Sequence, residues 1–303
     1  MGNKDRSKKP FRRKQEPNKV FTVTEDDELM KFLIARLPGK NRNNIKSLLA
    51  NKQVIVNGKS EKQFNHPLTP GATVEIRWNR IPEEKQYRGI SILFEDDDII
   101  VIDKHAGVLS IATDNQKSNT AYSMLSEHVK LRRSTNKIFV VHRLDRETSG
   151  LMMFAKSEEV QRVLQSNWHD IVEERSYLAV VEGTPEKKKG TVTSYLRESK
   201  ALKVHSYQDP DAGDKAVTHY EVIKSAHGFS MLRVTLESGK KNQVRVHMQD
   251  LGHPVIGDKK YGSKVNPIGR LGLHARVLAF SHPVNGEPMR FETPIPRKFS
   301  RLF

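Results

Sequence analysis

A chain of 303 residues suffices for about two domains, each able to bury a core of its own. Its net charge of +16 and pI near 9.8 point to a polyanionic partner, nucleic acid first, because lysine and arginine gain affinity by releasing counterions condensed on phosphates. Cysteine is absent, which excludes disulfides, thiolate-bound zinc, iron–sulfur clusters and any thiol nucleophile acting on an RNA base.

Residues 1–19 hold Lys4, Arg6, Lys8, Lys9, Arg12, Arg13, Lys14 and Lys19 with Phe11 as an anchor, and read as a disordered basic tail. Neither an apolar leader nor a membrane-length apolar run follows, so a soluble, cytoplasmic chain is expected. Residues 20–78 read as a small α/β module. Thr24 with Asp27 forms a capping-box signature, after which Leu29, Phe32, Leu33 and Leu37 recur at helical spacing until Pro38-Gly39. A second helix fits Asn43 to Ala50, with Ile45, Leu48 and Leu49 on its apolar side and Arg42 and Lys46 on another face. Gln53 to Val56, an Asn57-Gly58 turn and a strand from Thr73 to Trp78 complete the module. Residues 79–89, with Pro82, Glu83, Glu84 and Lys85, lack apolar periodicity and read as the linker.

From residue 90 to 303 many β runs alternate with few helices, notably Thr120 to Lys130 and Ser157 to Trp168. The expected fold class is therefore α+β, with a mainly antiparallel mixed sheet in the larger domain. The run His142-Arg143-Leu144-Asp145-Arg146-Glu147-Thr148-Ser149-Gly150 falls at a turn between two apolar strands, Ile138 to Val141 and Leu151 to Ala155. It sets one carboxylate between two guanidinium groups. Adjacent positive charge favours an ionised Asp145, a poised nucleophile more than a proton donor. From these residues alone, a turn capped by Asp145 with local ion pairs and a cleft in which Arg143 meets a phosphate or an unstacked base both remain open.

Strand alternation in Asn242 to Met248 would put Val244, Val246 and Met248 on one face and Gln243, Arg245 and His247 on the other. That strand could bring Arg245 to Asp145, with Lys240 or Lys241 touching phosphates. A wet edge strand is the plainer reading. Tyr177 shares its face with Ala179 and Val181 and reads as a core tyrosine or as a stacking platform for a flipped base. No phosphate-cradling Gly-rich loop, His-Glu-x-x-His or Gly-x-Ser-x-Gly occurs, so no nucleotide cofactor is expected. His142, His247, His253 and His274 lack metal-ligand spacing and read as structural, with no metal and no cofactor expected.

Taken together, HRLDRETSGLMMFAK from His142 to Lys156 resembles the catalytic segment of the RluA-type RNA pseudouridine synthases. The likeness covers nearly everything after the tail and points to RluD-like members acting on large-subunit ribosomal RNA. Asp103 to Leu109 resembles the family's opening motif, and Arg175 to Gly183 the segment whose tyrosine contacts the target base. Gln243 to His247, followed by Leu251 to Asp258 and Tyr261-Gly262, resembles the segment whose arginine pairs with the aspartate. Arg270 to Ala275 with His282-Pro283 resembles the closing strand region. By resemblance Asp145 is the essential aspartate, Tyr177 stacks on the base and Arg245 orients Asp145, while Arg143 holds the flipped nucleotide or its phosphate.

His105 replaces a usual proline, Lys241-Asn242 a common Thr-His, and Arg175 a common lysine. The first module resembles an S4 RNA-binding domain, with Arg42, Lys46, Lys52 and Lys59 as phosphate contacts. The implied reaction breaks N1–C1′ of a uridine, turns the uracil and joins C5 to C1′. Asp145 attacks C1′, attacks C6 or takes the 2′ proton. The implied partner is RNA, 23S ribosomal RNA first and transfer RNA second, met by a monomer. A non-catalytic RNA-binding or ribosome-assembly protein is the competing reading. An aspartate-based hydrolase would need a second carboxylate or a metal.

Overall fold

The computed structural model describes residues 18–78, 87–114 and 116–303, so the basic tail through residue 17 and linker residues 79–86 lie outside the described residues. The chain divides into two compact units, Met1–Lys85 with Leu131–Ser134, and Gln86–Lys130 with Thr135–Phe303.

In the smaller unit the order is β1 (Lys19–Thr22), β2 (Asp27–Glu28), α1 (Leu29–Arg36), α2 (Arg42–Ala50), β3 (Val54–Val56), β4 (Lys59–Ser60), β5 (Pro67–Leu68) and β6 (Thr73–Ile76). The sheet β1-β6-β3-β4 is antiparallel, and its apolar residues Val54, Val74 and Ile76 join Leu29, Leu33, Ile45 and Leu49 of the helices in one core. Asn57 and Gly58 both have positive φ, 47° and 80°, as a two-residue hairpin turn requires. Thr24 and Asp27 do not form the expected capping box. Asp27 and Glu28 instead pair with Leu68 and Pro67, so α1 starts at Leu29 without a side-chain cap. The real capping box belongs to α2, where the Asn41 side chain accepts from the Asn44 N–H and the Asn44 side chain accepts from that of Asn41.

The larger unit runs β7 (Ile90–Glu95), β8 (Ile99–Lys104), α3 (Ala121–Arg132), β9 (Phe139–Val140), β10 (Ser149–Ala155), α4 (Glu158–Ser166), α5 (Trp168–Ile171), β11 (Val172–Glu182), β12 (Lys189–Glu198) and β13 (Val204–Tyr207). It continues with β14 (Asp214–Ala226), β15 (Phe229–Leu236), α6 (Gln243–Asp250), β16 (Leu273–Ser281), β17 (Pro288–Glu292) and α7 (Arg297–Ser300). Its 11-stranded sheet has the order β13-β12-β14-β15-β11-β16-β10-β8-β7, with β17 beside β16 and β9 beside β10. Every pairing in it is antiparallel except β10 with β16. A predominantly antiparallel mixed sheet with few helices agrees with the α+β expectation.

The apolar run Leu151-Met152-Met153-Phe154-Ala155 does not alternate with polar residues because β10 is covered on both faces. Met152 and Phe154 pack with Ala121, Leu125 and Val129 of α3, whereas Leu151, Met153 and Ala155 pack with Val160 and Leu164 of α4. The parallel contact is short, Ser149 opposite His274 and Gly150 opposite Ala275. It demands glycine: Gly150 has φ +114°, and a Cβ there would stand 2.1 Å from the Ala275 carbonyl oxygen. This junction is where the HRLD segment enters the sheet.

Gln243 to His247 is not the expected strand but part of helix α6. Val244 and Met248 are two residues from Val246 on a strand, yet they are also i and i+4 on a helix, and seven residues cannot separate the two periods. Tertiary packing decides, since Gln243, Val244, Val246, His247 and Met248 are all buried around the helix. Strands β12, β13 and β17 were not anticipated, because their half-exposed sequences carry weak apolar patterning.

Candidate active site

The loop between β9 and β10 is pinned on both sides of Asp145. The Ser110 hydroxyl donates to the Leu144 carbonyl at 2.7 Å and accepts from the Leu144 N–H at 3.2 Å, while Leu144 itself is buried. The Arg146 carbonyl accepts from the Gly107 N–H at 2.8 Å and from Lys104 Nζ at 3.3 Å. His142 Nε2 accepts from the Met153 N–H at 3.0 Å. With residues 142, 144 and 146 held, the intervening backbone leaves Asp145 little freedom.

Lys104 is fully buried and its ammonium also donates to the carbonyls of His105 and Val108, at 3.1 and 2.7 Å. Burial pushes it down to about 8, opposed first by the attraction of Asp145 and then by that of Glu147. It is a structural cation beneath the loop. The Asp103-Lys104 motif was recognised from sequence, but nothing in its spacing indicated that the lysine would turn inward.

Asp145, Tyr177 and Arg245 line one cleft of about 210 Å³, to which exposed Arg143, Lys240 and Lys241 also contribute. Asp145 is 27% exposed at its side chain and its Oδ2 lies 3.3 Å from Arg245 Nη1. Neither sequence neighbour supplies its counter-charge: Arg146 reaches the Gly107 carbonyl and lies 3.6 Å from Glu147, and Arg143 makes no hydrogen bond or ion pair among the described residues. The local ion pairs read from the sequence are thus replaced by one partner from a hundred residues away.

Arg245 is itself held. Its Nε and Nη2 donate to the two oxygens of Asp258 at 2.6 and 2.8 Å, a bidentate pair, and its Nη1 also donates to the Asn242 side chain at 3.1 Å. Burial opposes the Arg245 charge, but the Asp258 carboxylate, with a smaller share from Asp145, more than compensates and raises the guanidinium above its usual range. The Tyr261 ring lies 4.9 Å under that guanidinium, and the Tyr261 hydroxyl accepts from Asn242 Nδ2 at 2.9 Å. Helix α6 fixes the direction of approach: Asn242 precedes it with φ 55°, and Gln243 ties its first turn to Ser238, Lys240, Val217 and Thr218. Sequence pattern alone gives Asp258 and Asn242 no role. A buried arginine needing an anion is the signal that could have found Asp258.

Tyr177 is 7% exposed and belongs to the central core, as the plainer reading expects, and it also lines the cleft. It stands opposite Ala275 of β16, which stands opposite Gly150. Lys240 pairs with Asp214 at 3.1 Å, and Lys241 with Glu198. Arg42, Lys46, Lys52 and Lys59 belong to the smaller unit. Arg42 and Lys46, one turn apart on α2, are exposed, as is Lys59, and Lys52 is half-buried.

The histidines are occupied with structure. His247 bridges Ser194 and Thr218, and His274 bridges Ser149 and Thr293, each pushed down to about 4 chiefly by burial. Asp96, Asp98 and His282 offer ligand atoms within 4.8 Å of one another. His282 Nδ1 accepts from the N–H groups of Val284 and Asn285, so Nε2 carries the proton and donates to Asp96 at 3.0 Å. A nitrogen already donating has no lone pair for a metal.

A basic cleft with one positioned carboxylate, set at the junction of a large mixed sheet, marks an enzyme for a polyanionic substrate. Human RNA pseudouridylate synthase domain containing 4 has the same fold, with a TM-score of 0.58 at 23% identity, covering 70% of this chain and 92% of that one. The family model for RNA pseudouridylate synthase matches residues 98–250. The chain is 36% identical over 213 residues to the uncharacterized RNA pseudouridine synthase YjbO of Bacillus subtilis, covering 70% of this chain and 75% of the relative. It is 30% identical over 299 residues to ribosomal large subunit pseudouridine synthase D of Salmonella typhimurium, covering 91% and 90%. The chain belongs to the RNA pseudouridylate synthase family and is an isomerase acting on RNA.

Proposed function

We propose that the chain isomerises a uridine of large-subunit ribosomal RNA, with Asp145 as the reacting carboxylate. The observation that carries this reading is the Asp145–Arg245–Asp258 chain of contacts in a cleft walled by Tyr177. The Salmonella relative, named for the ribosomal large subunit, supports the choice of RNA.

A flipped uridine enters the cleft and its ring lies against Tyr177. Arg245 aims the Asp145 carboxylate, and Asp258 holds Arg245 in place. Asp145 then attacks the nucleotide or takes a proton from its sugar, N1–C1′ breaks, and the uracil turns and bonds to C1′ through C5. The C5 hydrogen leaves to water and N1 gains one, so substrate and product are isomers and the atoms balance. Arg143 meets the displaced strand or its phosphate. Lys240 and Lys241 exchange Asp214 and Glu198 for phosphates. The smaller unit acts as an S4-like RNA-binding module through Arg42, Lys46, Lys52 and Lys59, with affinity that falls as salt rises.

Mapping pseudouridines in RNA from cells lacking the protein tests the substrate. Loss of a 23S position supports the proposal; loss confined to transfer RNA replaces the substrate, and no loss in any RNA refutes it.

A further inference from the structure

Beside the cleft lies a second cavity of about 380 Å³, and the two share Arg143, Leu236 and Gly239 in their linings. Trp168, half-buried at the start of α5, contributes an indole to it. The Arg175 guanidinium lies 5.7 Å from the indole centroid and is tethered to the Ser238 carbonyl at 3.1 Å. The His142 ring stands 5.0 Å from the indole. An indole braced by a cation and an imidazole keeps a fixed plane, which is what a stacking surface needs.

The same lining has unmet hydrogen-bonding capacity. His142 Nε2 accepts from Met153, so its proton sits on Nδ1, and that group and Arg175 Nε are buried without any partner. Buried donors without acceptors are uncommon in folded proteins. These buried groups lie out of a guest's reach, so stacking on the indole rather than hydrogen bonding to them carries the site.

We propose that this cavity receives the nucleotide next to the target uridine, with its base stacked on Trp168 and Arg143 standing between the two bases. The inference rests on the isomerisation proposed above. Flipping one nucleotide out of a strand breaks its stack with the next, and a waiting indole replaces the lost partner. Arg143, exposed and unpaired among the described residues, is the lining residue placed to separate the two rings. Trp168 thereby becomes a positioning and specificity residue, favouring a neighbour with a large stacking surface.

The test uses the full chain with Trp168→Ala and Trp168→Phe, and a 23S transcript tritiated at uracil C5. Trp168→Ala is expected to lower kcat/KM for tritium release by about 5- to 150-fold, mainly through KM, the range for one base–aromatic stack. Trp168→Phe is expected to retain most activity. Since the chain has two tryptophans, a Trp78→Phe background isolates Trp168, and its fluorescence is expected to fall when the transcript binds. Wild-type kcat/KM in Trp168→Ala, or unchanged fluorescence at saturating RNA, overturns the inference. Equal losses in both variants with a lowered Tm and no quenching assign Trp168 to packing and also overturn it. If the wild type releases no tritium from any RNA, the isomerase reading fails instead, and the quenching experiment still decides the stacking.

Discussion

Replacing Asp258 by asparagine perturbs the site without touching Asp145 itself. Asp258 is 1% exposed and Arg245 13% exposed at their side chains, and their two contacts are 2.6 and 2.8 Å long. Removing one member of a buried ion pair costs about 3–5 kcal/mol, because the other charge is left uncompensated. Arg245 retains Asp145 and Asn242, so the lower end, about 3 kcal/mol, is expected. For a domain of this size that corresponds to a fall in Tm of about 6–12 °C. Because the guanidinium then follows Asp145 rather than aiming it, tritium release at saturating RNA should drop by about a hundredfold, the scale of a misplacement of about 1 Å. Urea unfolding and single-turnover release below the new Tm measure the two effects. Wild-type stability together with wild-type release would refute the account of Asp258 as the anchor of Arg245.

Gly150→Ala should prevent the β10–β16 junction from forming, since its Cβ would overlap the Ala275 backbone, and circular dichroism should show loss of the cooperative melt; a normal melt would contradict the packing argument. Lys104→Met strands the carbonyls of His105 and Val108 and leaves that of Arg146 with the Gly107 N–H, so kcat should fall more than KM rises in tritium-release kinetics, and an unaltered kcat would show that the loop does not depend on it. His247 and His274 titrate near 4 in the folded chain against 6.5 ordinarily, so between these values the unfolded chain binds more protons and stability falls on acidification by up to about 1.4 kcal/mol per pH unit for each. His274→Gln should flatten that slope by one proton in urea midpoints taken between about pH 7 and about pH 4.5, and an unchanged slope would rule out its contribution. Arg42→Ala with Lys46→Ala should weaken RNA binding evenly across sequences and lower the salt slope by about one per residue, as read by filter binding; no change would remove α2 from the interface.

Much of this architecture was legible where local pattern and tertiary environment agree. The apolar run after Ser149 announced a strand covered on both faces, and Asn57-Gly58 announced its hairpin. The Asp145–Arg245 contact was reached by resemblance, yet the element carrying Arg245 was misread, because Val244-Arg245-Val246 satisfies a strand and a short helix alike. What chose the helix is the burial of Gln243, Val244, Val246, His247 and Met248 together, a property of the surrounding fold. The electrostatics of Asp145 were equally non-local. Two nearby arginines suggested its partners, but Arg146 turns to Gly107 and Glu147, Arg143 lines the cleft without pairing with Asp145, and the cation that does pair, Arg245, is held by Asp258. The inward turn of Lys104 could not be foreseen, since only the assembled loop creates the carbonyl cage that makes a buried ammonium tolerable.

The central claim is tested most directly by tritium release from a 23S transcript labelled at uracil C5, comparing the wild type with Asp145→Asn. The account predicts release by the wild type, none by the variant, and RNA affinity nearly equal in the two. Equal release by both would contradict it.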